Sequence, residues 1–437
     1  MIYKHISQLI GNTPILEVPK EVTDLKNINL YAKLEYMNPF GSLKDRIAKN
    51  MLEPIKSEMK DSNKTVLEAS SGNTGKALAI LSSVDGIKFK AVSNRMKIPE
   101  MRMIMQLSGA EIEELPGISD CPDLNDPNSY TTAASNMAKN EPDKYRYTDQ
   151  YFNERNWQAH LESGKEITEE LSKVDFLFTM LGTTGSSVGI GRALKEVNPE
   201  LNVYGVVASA GQHIPGARNS NELWEVGFYN PEFYKDILSE TTDGAISGAV
   251  SLIQKVGILS GPTAGATFNA ALKKLKELDK ELEGKNETYH AVFIVCDRVE
   301  PYLNFFKSHK PELFSKSTSS KPKVSDVVVT DTEKIKISID DLKNRQNEFM
   351  VIDIRGNFPY SIGHIESSIN IVDESLANMI EEGKVFPMDK KIVVVCRIGD
   401  ISGRYAQFLR NQGYEAYSLD GGIQNWKDKN LELGKTI

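Results

Sequence analysis

The sequence predicts an α/β protein in two parts, a large unit with largely parallel sheet and a small α/β unit behind it. Three observations carry this reading. Up to about residue 308, short apolar runs alternate with amphipathic stretches, the pattern of strands and helices in a parallel-sheet fold. Over 309–334 the periodicity stops and Ser, Lys and Pro concentrate (HKPELFSKSTSSKPKVSDVVVTDT, 309–332), as in a solvated linker. Over 335–437 the alternation resumes on a smaller scale. A chain of 437 residues also suits two or three domains at about 150 residues each.

The strand candidates of the first unit are INLYAKLEY (28–36), KFKAVS (88–93), FLFTML (176–181), LNVYGVVAS (201–209) and HAVFIVC (290–296). LIQKVGIL and FNAALKKLKELDKEL place apolar residues three and four apart and read as helices. In the second unit, FMVIDIR, KKIVVVCR and EAYSLDGG read as strands or strand ends, and RYAQFLRNQGY reads as an amphipathic helix.

Composition narrows the function classes. The chain is 40% hydrophobic and 26% charged, enough to bury sizeable cores. Its 52 basic and 60 acidic residues leave a net charge of -8, so no global positive field attracts nucleic acid. Three cysteines, Cys121, Cys296 and Cys396, cannot form a disulfide framework, and a reducing cytoplasm is the compartment expected. The start, MIYKHISQLIGNTPILEV, lacks a basic region ahead of a long apolar run, so no signal peptide is expected. No apolar stretch approaches the roughly 20 residues that span a bilayer.

Four segments of the first unit carry chemistry. In KLEYMNPFGSLKDR, Lys44 follows a Gly-Ser turn at a helix start, where a desolvated amine suits imine formation. In ASSGNTGKALAIL, Ser70, Ser71, Gly72, Asn73 and Thr74 make a small polar turn into a helix, a place where N–H groups and hydroxyls can hold a carboxylate. In LGTTGSSVGIGRALKEV, the turn Gly182, Thr183, Thr184, Gly185, Ser186 joins a strand to a helix, an arrangement that cradles phosphate. It matches neither a P-loop nor a dinucleotide fingerprint. In GPTAGATFNAAL, the Thr263 hydroxyl can meet an aromatic nitrogen without protonating it. Singly, these also fit a surface lysine, a Ser/Asn cap, an ordinary Gly-rich turn and a tight helix entry. Together they supply what a pyridoxal 5'-phosphate enzyme needs.

Residues 1–308 resemble the cysteine synthase and cystathionine β-synthase family, the fold-type II pyridoxal phosphate enzymes. The matching segments are IGNTP (10–14), KLE..NP.GS.KDR (33–46), SSGNTG, QYFNERNWQAH (150–160), GTTGS and GPTAGA. The resemblance implies two α/β subdomains with parallel sheets and a homodimer. It implies that Lys44 forms the imine and moves the α-proton, and that Asn73 meets the cofactor's 3′-oxygen. Gly182 to Ser186 would hold the phosphate, and Thr263, in place of the family's more usual serine, would face the pyridine nitrogen. Ser70, Ser71, Gly72, Thr74 and Gln150 would clasp the substrate carboxylate. The implied reaction is β-replacement on an activated serine, O-acetylserine or O-phosphoserine, with a sulfur nucleophile, giving L-cysteine. The Gly-Thr-Thr-Gly turn resembles the cysteine synthase B and O-phosphoserine branches. KLEYMNP with QYFNERNWQAH also resembles siderophore-pathway enzymes that add an amino-acid amine. In CDRVEPYLNFF (296–306), Arg298 and Pro301 depart from the family's Asp-Ser-Gly-Glu-Arg-Tyr run.

In the second unit, Cys396 ends the apolar run KKIVVVC and opens the loop CRIGDISGR before a helix, where loop N–H groups stabilise a thiolate. Arg397 and Arg404 add positive charge. VIDIRGNFPYSIGHIESSINI (351–371), CRIGDIS and LDGGIQNW (419–426) resemble a rhodanese domain. The resemblance implies a Cys396 persulfide cradled by the loop from Arg397 through Gly399 to Ser402, with Asp353 and His364 structural. Ser402 stands where phosphatases of related loop carry arginine, and Ile401 stands where many rhodaneses carry it. The fusion leads us to expect a β-replacement enzyme whose second domain handles sulfane sulfur; the other option is a non-catalytic binding or sensing module. Cys296 reads as core and Cys121 as a loop residue. His160 reads as packing or hydrogen-bonding. His5, His213, His290 and His309 show no metal-ligand spacing, so no metal is expected.

Overall fold

The apolar runs of the first unit become strands of two separate sheets. The computed structural model describes residues 1–94, 96–116, 129–225, 227–314, 322–329 and 332–436. It divides into the units Met1–Ser315 and Lys316–Ile437. The first unit starts one sheet with β1 (Ile15–Glu17) and β2 (Ile28–Lys33), then leaves it. The chain builds a second sheet from β3 (Thr65–Ala69), β4 (Lys88–Ser93), β5 (Glu111–Glu114) and β6 (Tyr145–Tyr147). It returns to the first with β7 (Phe176–Met180), β8 (Asn202–Ala208), β9 (Asp236–Glu240) and β10 (Tyr289–Ile294). The strand orders are β1-β2-β10-β7-β8-β9 and β5-β4-β3-β6. β1 runs antiparallel to β2; the other pairs are parallel.

Parallel strands covered by helices on both faces bury every side chain, which is why β7 is apolar apart from one threonine and buried throughout. β5 (EIEE) is an edge strand, and its carboxylates keep the edge from pairing with another chain. The same charges hide it from a search for apolar runs. Helices used below are α1 (Lys44–Leu52), α2 (Asn73–Val84), α3 (Arg155–Glu170), α4 (Gly185–Val197) and α5 (Pro262–Glu281). LIQKVGIL is helical only to Val256, because Gly257 turns the backbone left-handed (φ 79°) and caps the helix there.

Topology then places the site. In an open parallel sheet, a crevice forms at the carboxyl ends of strands where the strand order reverses. In the four-stranded sheet that point lies between β3 and β6, followed by Ser70–Thr74 and by Gln150. In the six-stranded sheet it lies between β7 and β10, followed by Gly182–Ser186 and by Cys296 and Asp297.

The second unit is a five-stranded parallel sheet of β11 (Lys336–Ile337), β12 (Phe349–Asp353), β13 (Ile369–Asn370), β14 (Lys391–Val395) and β15 (Ala416–Leu419), in the order β11-β15-β14-β12-β13. The order reverses between β12 and β14, and Cys396 follows β14 directly. α6 (Asp400–Asn411) leads away from it. Val324 lies within the stretch expected as linker, yet it is buried in this unit's core with Ile352 and Phe408. Its N–H donates to Glu381 at 2.8 Å. Among the described residues no helix is long and apolar enough to cross a membrane. Cys121 falls outside the described residues.

Candidate active site

In the first unit, Lys44 is placed by two anchors. The Leu43 N–H donates to the Cys296 carbonyl at 2.9 Å, and Ser42 pairs with Asp297, so the turn before α1 is tied to the end of β10. The Lys44 N–H donates to Ser42 Oγ at 3.2 Å, while Asp45 accepts the Phe40 N–H at 2.7 Å and the Ser42 hydroxyl at 3.2 Å. Burial lowers the Lys44 amine from its ordinary value, countered in part by Cys296 and Asp297. Burial likewise pushes Asp45 up to about 7 and the Cys296 thiol up to about 12; Cys296, expected in the core, is only partly buried and lines the cavity beside Lys44.

Lys44 opens into a cavity of about 410 Å³. Ser70, Ser71, Gly72, Asn73, Thr74 and Gln150 line it from the four-stranded sheet, and Gly182, Thr183, Ser186, Thr263 and Asp297 from the other. The Thr74 hydroxyl donates to Gln150 Oε1 at 2.7 Å, and Gln150 Nε2 donates to the Ala69 carbonyl at 3.0 Å. These bonds lock the two loops of that switch point together. Asn156, in the QYFNERNWQAH segment, donates from Nδ2 to the Gln150 carbonyl (2.6 Å) and to Thr183 Oγ1 (3.0 Å), linking the Gln150 loop to the Gly182 turn.

The residues fit a phosphorylated aromatic cofactor. Thr184 is the N-cap of the 13-residue helix α4 and holds a left-handed backbone (φ 62°), which costs a non-glycine residue energy and persists where the surroundings impose it. Its hydroxyl is buried without a partner, as is Asn73 Oδ1. An anion at the α4 N-terminus would meet free N–H groups and the positive end of the helix. Gly182, Thr183 and Ser186 of this turn line the cavity, and Thr184 and Gly185 do not.

Asp297 and Tyr302 line the cavity and were not among the sequence candidates. Asp297 accepts from Asn73 Nδ2 at 2.7 Å, from the Tyr302 hydroxyl at 2.5 Å and from Thr263 Oγ1 at 3.4 Å. The signal was present in CDRVEPY, whose Asp and Tyr keep the family's first and last positions while Arg298 and Pro301 depart. The motif residues away from the cavity also acquire a role. Arg46 grips Glu35 from Nε (2.8 Å) and Nη2 (2.9 Å) and Glu166 from Nη1 (2.8 Å) and Nη2 (2.7 Å). Lys33 donates to Glu166 at 2.6 Å and to the Thr13 carbonyl at 2.5 Å. IGNTP, KLE and KDR therefore meet in one buried ion network under α1. Against its own burial, Arg46 and Lys33 hold Glu166 down at about 2. His160 is fully buried, and burial with the charges of Lys44 and Arg46 keeps it neutral, well below its ordinary value.

In the second unit, Cys396 Sγ accepts N–H groups from Gly399 (3.1 Å) and Ser402 (3.5 Å) and the Ser402 hydroxyl (3.2 Å). Gly399 makes this curl possible with φ 87°, a conformation open to glycine. Arg397 is exposed and pins the loop through its carbonyl, which accepts the Gln424 N–H at 3.0 Å. Asp400 Oδ1 lies 3.3 Å from Sγ and takes the Ile401 N–H at 2.7 Å; that bond leads the causes holding its carboxyl below the ordinary value. Asp353 pairs with Arg355 at 2.7 Å, and His364 stacks on Tyr360 at 4.0 Å between ring centres.

Comparison with known proteins agrees with this geometry. The pyridoxal-phosphate dependent enzyme family matches residues 6–297 and the rhodanese-like domain family residues 338–429. The chain belongs to the pyridoxal-phosphate dependent enzymes, with the fold-type II architecture and pyridoxal phosphate as cofactor, and carries a rhodanese-like domain at its C-terminal side. Within that family it is cysteine synthase-like. A cysteine synthase of Aquifex aeolicus is 32% identical over 308 residues, covering 68% of this chain and 90% of its own. A cystathionine beta-synthase of Apis mellifera is 31% identical over 327 residues, covering 70% of this chain and 62% of its own. The crystal structure of a hydrogen sulfide-producing enzyme from Fusobacterium nucleatum matches with a TM-score of 0.60 at 30% identity, over 69% of this chain and 99% of its own.

Proposed function

We propose that the chain makes L-cysteine by β-replacement on O-acetylserine or O-phosphoserine, and that Cys396 handles the incoming sulfur. The supporting observation is the convergence of Lys44, Asn73, the Gly182–Ser186 turn, Thr263 and the Ser70–Gln150 pair of loops on one cavity. The reading takes 1–308 as the β-replacement unit, 309–334 as the connection and 335–437 as the sulfur-handling unit, working as a cytoplasmic homodimer.

When bound, pyridoxal phosphate stabilises negative charge at the substrate Cα, so that a group can leave Cβ and a nucleophile can add there. Ser70 to Thr74 hold the substrate carboxylate with N–H groups and hydroxyls, and Gln150 fixes the Thr74 hydroxyl. Lys44 Nζ takes the α-proton and returns it after addition; burial readies the amine by favouring its neutral form. Asn73 and Thr263 orient the cofactor ring, and Gly182–Ser186 hold its phosphate. At the second site, the Cys396 thiolate attacks the sulfane sulfur of a persulfide or thiosulfate; the donor's S–S bond breaks and thiolate or sulfite leaves. A thiol reductant then releases that sulfur as hydrosulfide, leaving a mixed disulfide that a second thiol clears. Hydrosulfide is the nucleophile at Cβ.

The test offers the protein each serine ester with sulfide, with thiosulfate plus thiol, or with amino-acid amines. Cysteine from sulfide in both wild type and Cys396→Ser, with thiosulfate-dependent cysteine lost only in the variant, is the expected result. Equal thiosulfate-dependent synthesis by the variant removes Cys396 from the reaction, and an amine adduct in place of cysteine replaces the nucleophile.

A further inference from the structure

We propose that Asp297 is the positioning residue of the Lys44 cavity: its carboxylate orients Asn73 and Thr263 and so sets how both meet the cofactor. This rests on the β-replacement reading above.

Asp297 joins three of the segments that build the cofactor side, those carrying Lys44, Asn73 and Thr263. Its backbone pairs with Ser42 in the Lys44 turn, and its carbonyl accepts the Gly261 N–H at 2.9 Å from the turn that carries Thr263. A Cβ on Gly261 would lie 2.2 Å from Asp297 Oδ1, so this approach is open to glycine alone. The carboxylate then gathers one donor from each direction: Asn73 at the start of α2, Thr263 at the start of α5 and Tyr302 beyond β10.

Two features separate this from ordinary packing. Asp297 is 4% exposed, and among the described ion pairs none includes it. A buried carboxylate without a salt bridge is costly and favours its neutral form, which is the direction in which burial moves Asp297 despite its three hydrogen bonds and the nearby Lys76. A purely structural role would be served as well by a neutral side chain. Second, both protons of the Asn73 amide nitrogen are committed, one to Asp297 and one to Tyr302 Oη at 3.2 Å, which leaves Oδ1 buried without a partner. Asp297 thus decides which atom of Asn73 stays available, and it competes for the single proton of the Thr263 hydroxyl.

The experiment titrates apo-protein with pyridoxal phosphate, reading the absorption band of the bound cofactor across pH and the melting of the apo-protein, in wild type, Asp297→Asn and Tyr302→Phe. The expected result for Asp297→Asn is cofactor binding weaker by about tenfold, the effect of one lost hydrogen bond. A shifted pH response of the band and unchanged or higher apo-protein melting should accompany it. Tyr302→Phe, which keeps the carboxylate and removes one donor, should move the band's pH response with a smaller loss of affinity. Affinity and band response equal to wild type in Asp297→Asn overturn the proposal. If that variant does not fold, the same result in Tyr302→Phe overturns it. A wild-type protein that takes up no pyridoxal phosphate overturns the cofactor-site reading itself, and this inference with it.

Discussion

The Lys44 cavity and the Cys396 loop solve one problem in two ways. Both stand at the carboxyl ends of parallel strands where the strand order reverses, and both use a helix N-terminus. The Cys396 site is contained in one stretch from Cys396 to Ser402, whose own N–H and hydroxyl groups meet the sulfur. The Lys44 site is assembled from turns drawn from two sheets and held by Gln150, Asn156 and Asp297. A thiol exchanging one sulfur atom needs only a local cradle. A cofactor with a phosphate, a ring and an attached substrate needs walls on several sides, and only distant segments can supply them.

The largest effect expected breaks the two sites apart. Lys44→Ala should lower β-replacement by on the order of 10²–10⁴-fold, as for loss of a proton-transferring side chain. No cofactor should remain on the chain after borohydride reduction, read by mass, while thiosulfate:cyanide transfer at Cys396 stays at its wild-type rate. A fall in both activities would contradict separate sites.

A second change tests whether the Lys44 site depends on distant support. Glu166→Ala leaves Arg46 and Lys33 without a shared countercharge in a buried place, which should cost about 3–5 kcal/mol. Denaturant unfolding should show the transition of the first unit moving and that of the second unmoved.

The smallest effect sharpens the electrostatics beneath the turn at 70–74. Glu68, fully buried in β3, accepts the Thr148 hydroxyl at 2.5 Å, and burial pushes it up to about 8. The folded protein therefore keeps this proton to higher pH than the unfolded chain does. Stability falls as pH rises from the ordinary carboxyl range to about 8, then levels. Glu68→Gln should match wild type near pH 5 and gain a few kcal/mol, as an order of magnitude, above pH 8. Equal melting of the two proteins at pH 8.5 would show that Glu68 ionises normally.

Sequence legibility followed how local each feature is. β4, β7 and β10 were readable because a doubly covered strand must be apolar, and the turns at 70–74, 182–186 and 261–263 because small polar residues before a helix are a local signature. β5 was not, because an edge strand carries charges. Val324 was not, because its neighbours Ser, Lys and Asp signal solvent while its own side chain finds a core from another part of the chain.

The sequence by itself therefore determined the apolar strands β2, β4, β7, β8 and β10 of the first unit, the turns, the Lys44 and Cys396 candidates and the family that the motifs announce. Those properties reside in short stretches, where backbone preference and residue chemistry act together. Tertiary structure alone decided that IGNTP, KLE and KDR close into one ion network around Arg46 and Glu166. It alone decided that Asp297 receives the Asn73 amide. Such facts depend on which groups lose their water together, and burial is a property of the assembled fold.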